Sequence, residues 1–147
     1  MSVTIREARP VDAAAVAKLS GELGYPVETG EMAKRLKIVD ETPDHVVLVA
    51  CRADGTIIGW ADLRLIFDIS VGRRGEIAGL VVGEGERSVG VGRELVRAAE
   101  QWVSFAGVTR MLVRSNVVRE RAHGFYLREG YTRAKTSAVF EKELPGA

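Results

Sequence analysis

The chain has 147 residues, 46% of them hydrophobic, and 21 basic against 20 acidic side chains leave a formal net charge of +1. This length and apolar content fit one domain with a sizeable core, and the balanced charge does not support a nucleic acid partner. No apolar run approaches the roughly 20 residues of a membrane span, and no signal-peptide core is present, so we expect a cytoplasmic chain without a membrane partner. One cysteine, Cys51, excludes an intrachain disulfide or a cysteine-based zinc site, and we expect no metal.

The first third of the chain predicts a strand and two helices. Alternating apolar and polar residues in "VTIREA" (3–8) predict a short, half-buried strand. Apolar residues at helical spacing predict helices in "DAAAVAKLSGEL" (12–23) and "ETGEMAKRLKIV" (28–39). The segment "GYP" separates the two helices.

Two β-rich runs follow, "HVVLVACR" (45–52) and "TIIGWADLRLIF" (56–67). Asp54 and Gly55 between them are a strong hairpin signal, so we expect these runs to pair as antiparallel strands.

The remaining elements alternate between strands and helices. We expect in turn a buried strand in "GEIAGLVVG" (75–83), a loop and amphipathic helix over 86–105, a strand in "TRMLVRS" (109–115), a helix in "RERAHGFYLREG" (119–130) that Gly130 closes, and two final strands in "YTRAK" (131–135) and "SAVFEKEL" (137–144). No linker or repeat divides the chain, so the pattern predicts a single mixed α/β (α+β) domain over residues 1–147.

Four glycines stand between Gly83 and Gly92, immediately before a helical segment. A strand, a glycine turn and a helix start bring unpaired backbone N–H groups and the positive end of a helix dipole together, which is a phosphate-binding arrangement. Arg87 and Arg93 add positive charge on either side. The segment "GVGREL" lacks the Gly-Lys-Ser/Thr of a Walker loop and the third glycine of a dinucleotide fingerprint. Spacing alone leaves two alternatives, a phosphate-bearing ligand or a capping turn without one.

Two motifs resemble the GNAT N-acetyltransferase family. "RSVGVG" (87–92) looks like its Arg/Gln-x-x-Gly-x-Gly/Ala acetyl-CoA loop, and "SNVVRERAHGFYLREGY" (115–131) looks like its Ala-x-x-Phe-Tyr helix followed by Gly and an aromatic residue. The order of elements is similar over nearly the whole chain. The resemblance implies the GNAT acyl-CoA N-acyltransferase fold, with a mixed, mostly antiparallel sheet of six to seven strands flanked by about four helices.

The same resemblance implies acetyl-CoA as the cofactor and transfer of its acetyl group to a primary amine by direct attack in a ternary complex. It assigns the cofactor to backbone groups of a strand that splays from its neighbour, to the glycine loop, and to residues near the next helix. These positions are Leu80, Val81, Val82, Arg87, Ser88, Val89, Gly90, Val91, Gly92, Arg93, Asn116 and Phe125. Many relatives carry Asn where Arg119 stands, so a cofactor contact made there would need a substitute.

Acyl transfer from a thioester to an amine needs a base for the amine and an acid for the leaving thiolate. Glu76 looks like the fourth-strand glutamate that some GNAT enzymes use as the base, and Asp62 is a second carboxylate for that role. Tyr126 resembles the family tyrosine that protonates the sulfur. His123, three residues before it, is interpreted as structural.

The acceptor is expected to be a small-molecule amine, because "LGYP" (23–26) looks like the small-molecule branch of the family. The residues assigned to contact the acceptor are Glu22, Tyr25, Glu28 and Asp62. Two alternatives stay open, a non-catalytic acyl-CoA sensor and an acetyltransferase acting on a protein lysine or N-terminus. The alternating "SAVFEKEL" strand offers an edge for a homodimer.

Overall fold

The computed structural model describes residues 3–86, 90–115 and 119–146, and these form five strands and four α-helices. In chain order the elements are β1 (Thr4–Glu7), α1 (Ala13–Leu23), α2 (Thr29–Asp40), β2 (His45–Cys51), β3 (Ile57–Asp68), β4 (Gly72–Val82), α3 (Val91–Phe105), β5 (Met111–Val113) and α4 (Glu120–Arg128). The chain divides into two compact units, 1–114 and 115–147, and each is described by itself. A single domain over 1–147 stays a prediction.

The first unit is built on one five-stranded sheet with the order β1-β2-β3-β4-β5. The first four strands pair antiparallel with their neighbours, whereas β5 runs parallel to β4. A parallel pair needs a crossover connection, and α3 lies in that connection. The mixed, mostly antiparallel α+β fold predicted from the sequence is confirmed.

The hairpin between β2 and β3 turns where the sequence predicted it. Gly55 has φ 89°, a left-handed conformation that a glycine adopts without steric cost. The Arg52 and Thr56 backbones close the turn, with the Arg52 N–H donating to the Thr56 carbonyl at 2.9 Å. The Asp54 carboxylate accepts from the Thr56 N–H at 2.9 Å, which stabilises the bend.

Helices cover both faces of this sheet because side chains alternate along each strand. One face carries Val47, Val49 and Trp60, which pack with α1 and α2 in a single apolar cluster. The other face approaches α3 so closely that a Cβ on Gly59 would lie 3.2 Å from Leu95 and 2.9 Å from a backbone oxygen. The core therefore has two layers, one on each face of the sheet.

An ion pair stabilises the entry to α1. Asp12 is buried, and it accepts hydrogen bonds from Arg6 at 2.8 and 3.0 Å and from the Arg9 N–H at 2.8 Å. The hydrogen bond from Arg6 is the main reason that the pKa of Asp12 lies below its ordinary value. This contact joins β1 to the turn of residues 10–12 that precedes α1.

The second unit contains α4, which ends as the sequence predicted. Gly130 has φ 93°, its N–H donates to the Leu127 carbonyl, and the Tyr131 N–H donates to the Tyr126 carbonyl. These two bonds form a Schellman motif, which satisfies carbonyls that the helix leaves unpaired.

The two C-terminal strands predicted in 131–135 and 137–144 are absent, because no residue between 131 and 146 is in a strand. The described sheet accordingly has five strands and not six to seven. Val139 and Phe140 are 83% and 93% exposed. A strand forms only where a neighbour takes its backbone hydrogen bonds, which alternation of residue types cannot provide. The homodimer edge predicted there loses its basis.

Candidate active site

The glycine-rich loop leads into the N-terminus of α3, as the spacing predicted. Gly90 is the exposed residue that precedes the helix, and its φ of 84° is unfavourable for other residues. The first-turn N–H groups of an α-helix, here those of Val91 and Gly92, have no carbonyl acceptor within the helix. They point towards any anion placed at this end. Arg87, Ser88 and Val89, which the resemblance assigns to the same loop, lie outside the described residues.

Strand β4 parts from β5 within the described sheet. The two strands pair from Gly75 to Ile77, where β5 ends at Val113, whereas β4 continues to Val82. A register shift accompanies the parting, since Leu63 pairs with Ile77 and Asp62 pairs with Gly79, which leaves Ala78 as an extra residue in β4. One edge of β4 after Ala78 therefore has no strand partner among the described residues. Backbone N–H and C=O groups on such an edge can pair with an amide-bearing ligand.

The predicted cofactor residues Leu80, Val81 and Val82 form this parted stretch. It leads through residues 83–86 and the loop to α3, so the unpaired edge and the helix N-terminus follow one another along the chain. An extended chain with amides along the edge and a phosphate group at the helix end matches coenzyme A. The described part of this stretch therefore offers the kinds of backbone group that the amides and phosphates of coenzyme A would bind. Asn116 lies outside the described residues.

Glu76 is the most deeply buried charged side chain of the described sheet, with a residue exposure of 2%. Its Oε1 accepts from Arg64 Nε at 2.6 Å, and its Oε2 accepts from Arg114 Nε at 3.0 Å. Both arginine side chains are at least half exposed. Two guanidinium groups thus bind the two carboxylate oxygens through charge-assisted hydrogen bonds. Two positive charges face this one negative charge.

A second polar pair lies beside Glu76 and its two arginine partners. His45 Nε2 is 2.6 Å from Asp62 Oδ1, and the two side chains are 25% and 34% exposed. Strand register places His45 and Asp62 next to Glu76 and its arginines. His45 pairs with Arg64 across β2 and β3, and Arg64 pairs with Glu76 across β3 and β4. We use the name polar strip for this row, which consists of His45, Asp62, Arg64, Glu76 and Arg114.

The polar strip occupies the sheet face on which α1 and α2 pack. Asp62 and Trp60 are two residues apart on β3, and a Cβ on Gly79 would contact both side chains, so the three share that face. Asp62 is also the cross-strand partner of Gly79, which immediately precedes Leu80 on the parted edge. The backbone of Asp62 thus lies one strand spacing, about 5 Å, from Gly79, the residue before the stretch predicted to bind the cofactor.

The sequence did not identify three members of the polar strip, His45, Arg64 and Arg114. The only local signal is the alternation of Asp62 and Arg64, which puts both on one face of a strand. Arg114 is 38 residues from Glu76 along the chain, so only the pairing of β4 with β5 brings it to the carboxylate.

The other predicted acceptor contacts lie apart from the strip. Glu22 accepts from the Glu84 N–H at 3.1 Å, Tyr25 is 63% exposed, and Glu28 is the exposed residue before α2. Among the described residues, no hydrogen bond or ion pair joins these three to the polar strip. Asp62 is the only one of the four predicted acceptor contacts that belongs to it.

Tyr126 and Phe125 lie on α4 in the second unit. Burial raises the pKa of the Tyr126 phenol to about 12, because a buried phenolate loses its hydration. The phenol therefore keeps its proton at neutral pH and can donate it. Its ring makes edge contacts with Phe125 at 5.2 Å and Tyr131 at 6.1 Å between centroids.

No three His, Cys, Asp or Glu side chains of the described segments come together in a group that could hold a metal ion. None of the helices described is both long enough and apolar enough to cross a bilayer.

Comparison with known proteins identifies relatives of this chain. A family model described as the acetyltransferase (GNAT) family matches residues 14–131. Aminoglycoside N(6′)-acetyltransferase type 1 of Stenotrophomonas maltophilia is 31% identical over 145 residues, which are 96% of this chain and 94% of that protein. Aminoalkylphosphonate N-acetyltransferase of Salmonella typhimurium is 35% identical over 79 residues, 53% of this chain and 51% of that protein. An aminoglycoside N-acetyltransferase solved in complex with CoA matches with a TM-score of 0.86 at 18% identity, covering 97% and 96% of the two chains, and so shares the fold.

Proposed function

The chain belongs to the acetyltransferase (GNAT) family, and we propose that it transfers the acetyl group of acetyl-CoA to a primary amine of a small molecule. The observation that carries the proposal is the parting of β4 from β5 after Ile77, followed along the chain by the exposed N-terminus of α3. The solved relative that binds CoA has the same fold, and the curated relatives act on amines by name.

The first unit supplies two cofactor contacts in this proposal. The N-terminus of α3 binds the pyrophosphate, and Gly90 and Gly92 keep Cβ atoms out of its way. The edge of β4 at Leu80 and Val82 pairs with the pantetheine amides. When bound, acetyl-CoA supplies the thioester whose acetyl group passes to the amine.

The chain's polar side chains then have distinct tasks. A carboxylate on the polar strip receives the amine as a cation, and the sequence-predicted base among these is Glu76. N–H groups on the parted edge donate to the carbonyl oxygen of the acetyl group. Tyr126, whose phenol is protonated at neutral pH, gives its proton to the leaving sulfur.

The acceptor is proposed to be an aminoglycoside-type amine, as the near full-length relative's name suggests. One observation favours a second candidate, an amine that also carries an anionic group. Arg64 and Arg114 are half exposed and share the carboxylate of Glu76, which compensates only one of their two positive charges. A phosphonate would bind there, which agrees with the second curated relative.

The test is calorimetric titration with acetyl-CoA followed by release of free thiol in the presence of amines. The amines are an aminoglycoside with a 6′-amino group, 2-aminoethylphosphonate, and 2-aminoethanol as the analogue without an anionic group. Binding with thiol release on the aminoglycoside supports the first acceptor. A kcat/KM for 2-aminoethylphosphonate at least tenfold above that for 2-aminoethanol, lost in Arg64→Gln, supports the second. If the chain binds acetyl-CoA but releases no thiol with any of these amines, the proposed activity is wrong.

A further inference from the structure

The polar strip contains two carboxylates in different surroundings, and only one of them is accessible. Glu76 is buried, and both of its oxygens bind guanidinium groups. Asp62 is a third exposed, and its described partner is the imidazole of His45. The carboxylate that can meet a solvated ammonium group is therefore Asp62.

Resting on the proposed function, we propose that His45 and Asp62 together accept the proton of the acceptor ammonium, and that Glu76 is a positioning residue that holds Arg64 and Arg114. Asp62 lies across from Gly79, beside the backbone stretch assigned to the cofactor. An ammonium group at Asp62 would thus be presented to the acetyl group with its charge compensated.

The imidazole gives this pair its chemical advantage. Histidine is the side chain that exchanges protons near neutral pH, whereas an isolated carboxylate is a much weaker base. His45 Nε2 faces Asp62 Oδ1 at 2.6 Å, so the imidazolium formed on proton uptake remains paired with a carboxylate. This holds whichever ring nitrogen carries the proton beforehand. His45 is a quarter exposed, which lets the proton pass on to water.

The charged groups around His45 come from several elements. On the strip they are Asp62 and Arg64 of β3, Glu76 of β4 and Arg114 after β5. On the other side, His45 lines a cavity of about 200 Å³ to which Glu7 of β1 and Asp40 of α2 also contribute. The neighbouring Asp44 is paired with Arg73 of β4. His45 therefore lies between Asp62 of the strip and the carboxylates of Glu7 and Asp40 that line the cavity.

Protons and electrons balance in the resulting step. The ammonium nitrogen gives one proton to the His45–Asp62 pair, and its lone pair forms a bond to the carbonyl carbon. The C–S bond breaks, and its electron pair leaves with sulfur. The nitrogen then loses a second proton, and sulfur takes up one proton, so these two changes balance. The His45–Asp62 pair releases the first proton to water.

The kinetic test compares His45→Gln and Asp62→Asn with matched controls. His123→Gln changes the chain's other histidine, and Asp68→Asn makes the same change six residues further along β3, at an exposed pair with Arg74. We expect kcat/KM near pH 7 to fall about 10²-fold in both test variants, the loss of a general base. The loss should shrink to less than tenfold near pH 9, where free amine is abundant, and both controls should match the wild type.

A second readout does not depend on turnover. In the complex with CoA, which cannot react, an added amine should shift the NMR resonances of the His45 imidazole. The chain has two histidines, so the His45→Gln variant identifies the signal. The shift should be lost in Asp62→Asn and kept in Asp68→Asn.

Three results would overturn the proposal. If the wild-type protein is active and His45→Gln and Asp62→Asn have the same kinetics as the wild type, the pair is not the proton acceptor. A loss of the same size at every pH assigns the pair to structure alone. If the amine still shifts the His45 resonances in Asp62→Asn, the amine does not bind at the Asp62 carboxylate. Wild-type protein that releases no thiol with any amine would overturn the proposed function itself, a result distinct from these three.

Discussion

Replacing Glu76 by Gln tests the central contact of the polar strip. The side chain keeps its shape, but the charge that binds Arg64 at 2.6 Å and Arg114 at 3.0 Å is lost. A hydrogen bond to a charged group contributes about 1.5–3 kcal/mol. Because both arginines are half exposed and regain water, we expect a loss near the lower end for each bond, about 3 kcal/mol of unfolding free energy in total.

The assay is thermal and urea unfolding of the variant beside the wild type. For a chain of this size a loss of about 3 kcal/mol lowers Tm by roughly 6–12 °C. Glu31→Gln is the matched control, because Glu31 forms an exposed pair with Arg35 at 3.1 Å and such pairs contribute at most about 1 kcal/mol. A Tm for Glu76→Gln within 2 °C of the control would refute the view that this buried carboxylate holds the strip together.

The same variant also separates a base from a positioning residue. If Glu76 acts by holding the arginines, kcat/KM should fall by a similar factor at every pH. If Glu76 is the base, the loss should be largest near neutral pH and shrink as free amine becomes abundant. The pH profile of the variant therefore decides between Glu76 and the His45–Asp62 pair.

Three other changes probe separate parts of the molecule. Gly92→Glu places a carboxylate in the first turn of α3, where its repulsion from a phosphate charge at 4 Å lies between about 1 and 4 kcal/mol. The calorimetric Kd for coenzyme A should therefore rise at least about fivefold. Gly30→Glu, the same change at the second residue of α2, should leave that Kd unchanged, and equal affinities would remove the phosphate site. Tyr126→Phe should lower kcat about 10²-fold with little change in coenzyme A affinity, whereas Tyr131→Phe should not, and equal turnover would assign Tyr126 to packing. Asp12→Asn should cost about 1–3 kcal/mol at pH 7, measured by urea unfolding. Since the pKa of Asp12 is lowered in the fold, its contribution is full above the ordinary pKa of about 3.9 and is lost as pH falls through the folded value. The variant should therefore lose less stability than the wild type on acidification, and parallel curves would contradict this account.

The sequence predicted well the features that short stretches of chain determine. Helical periodicity located α1, α2, α3 and α4, and Asp54 and Gly55 located the first hairpin. The glycine spacing located the loop that leads into α3. Neighbouring residues decide all of these through backbone dihedral preferences and the burial of one face.

Strand pairing decided what the sequence could not. His45 and Asp62 are 17 residues apart and Glu76 and Arg114 are 38 apart, so the register of β2, β3, β4 and β5 alone brings them into contact. The extra residue Ala78, which accompanies the parting of β4 from β5, is likewise a property of two strands and not of one. For the same reason the alternation in "SAVFEKEL" was misleading, since a single segment does not show whether a partner strand will accept its hydrogen bonds. The sequence by itself determined the family, the helices and the glycine loop, whereas only the tertiary structure assembled the polar strip, because side chains far apart in sequence meet through backbone pairing that no local pattern encodes.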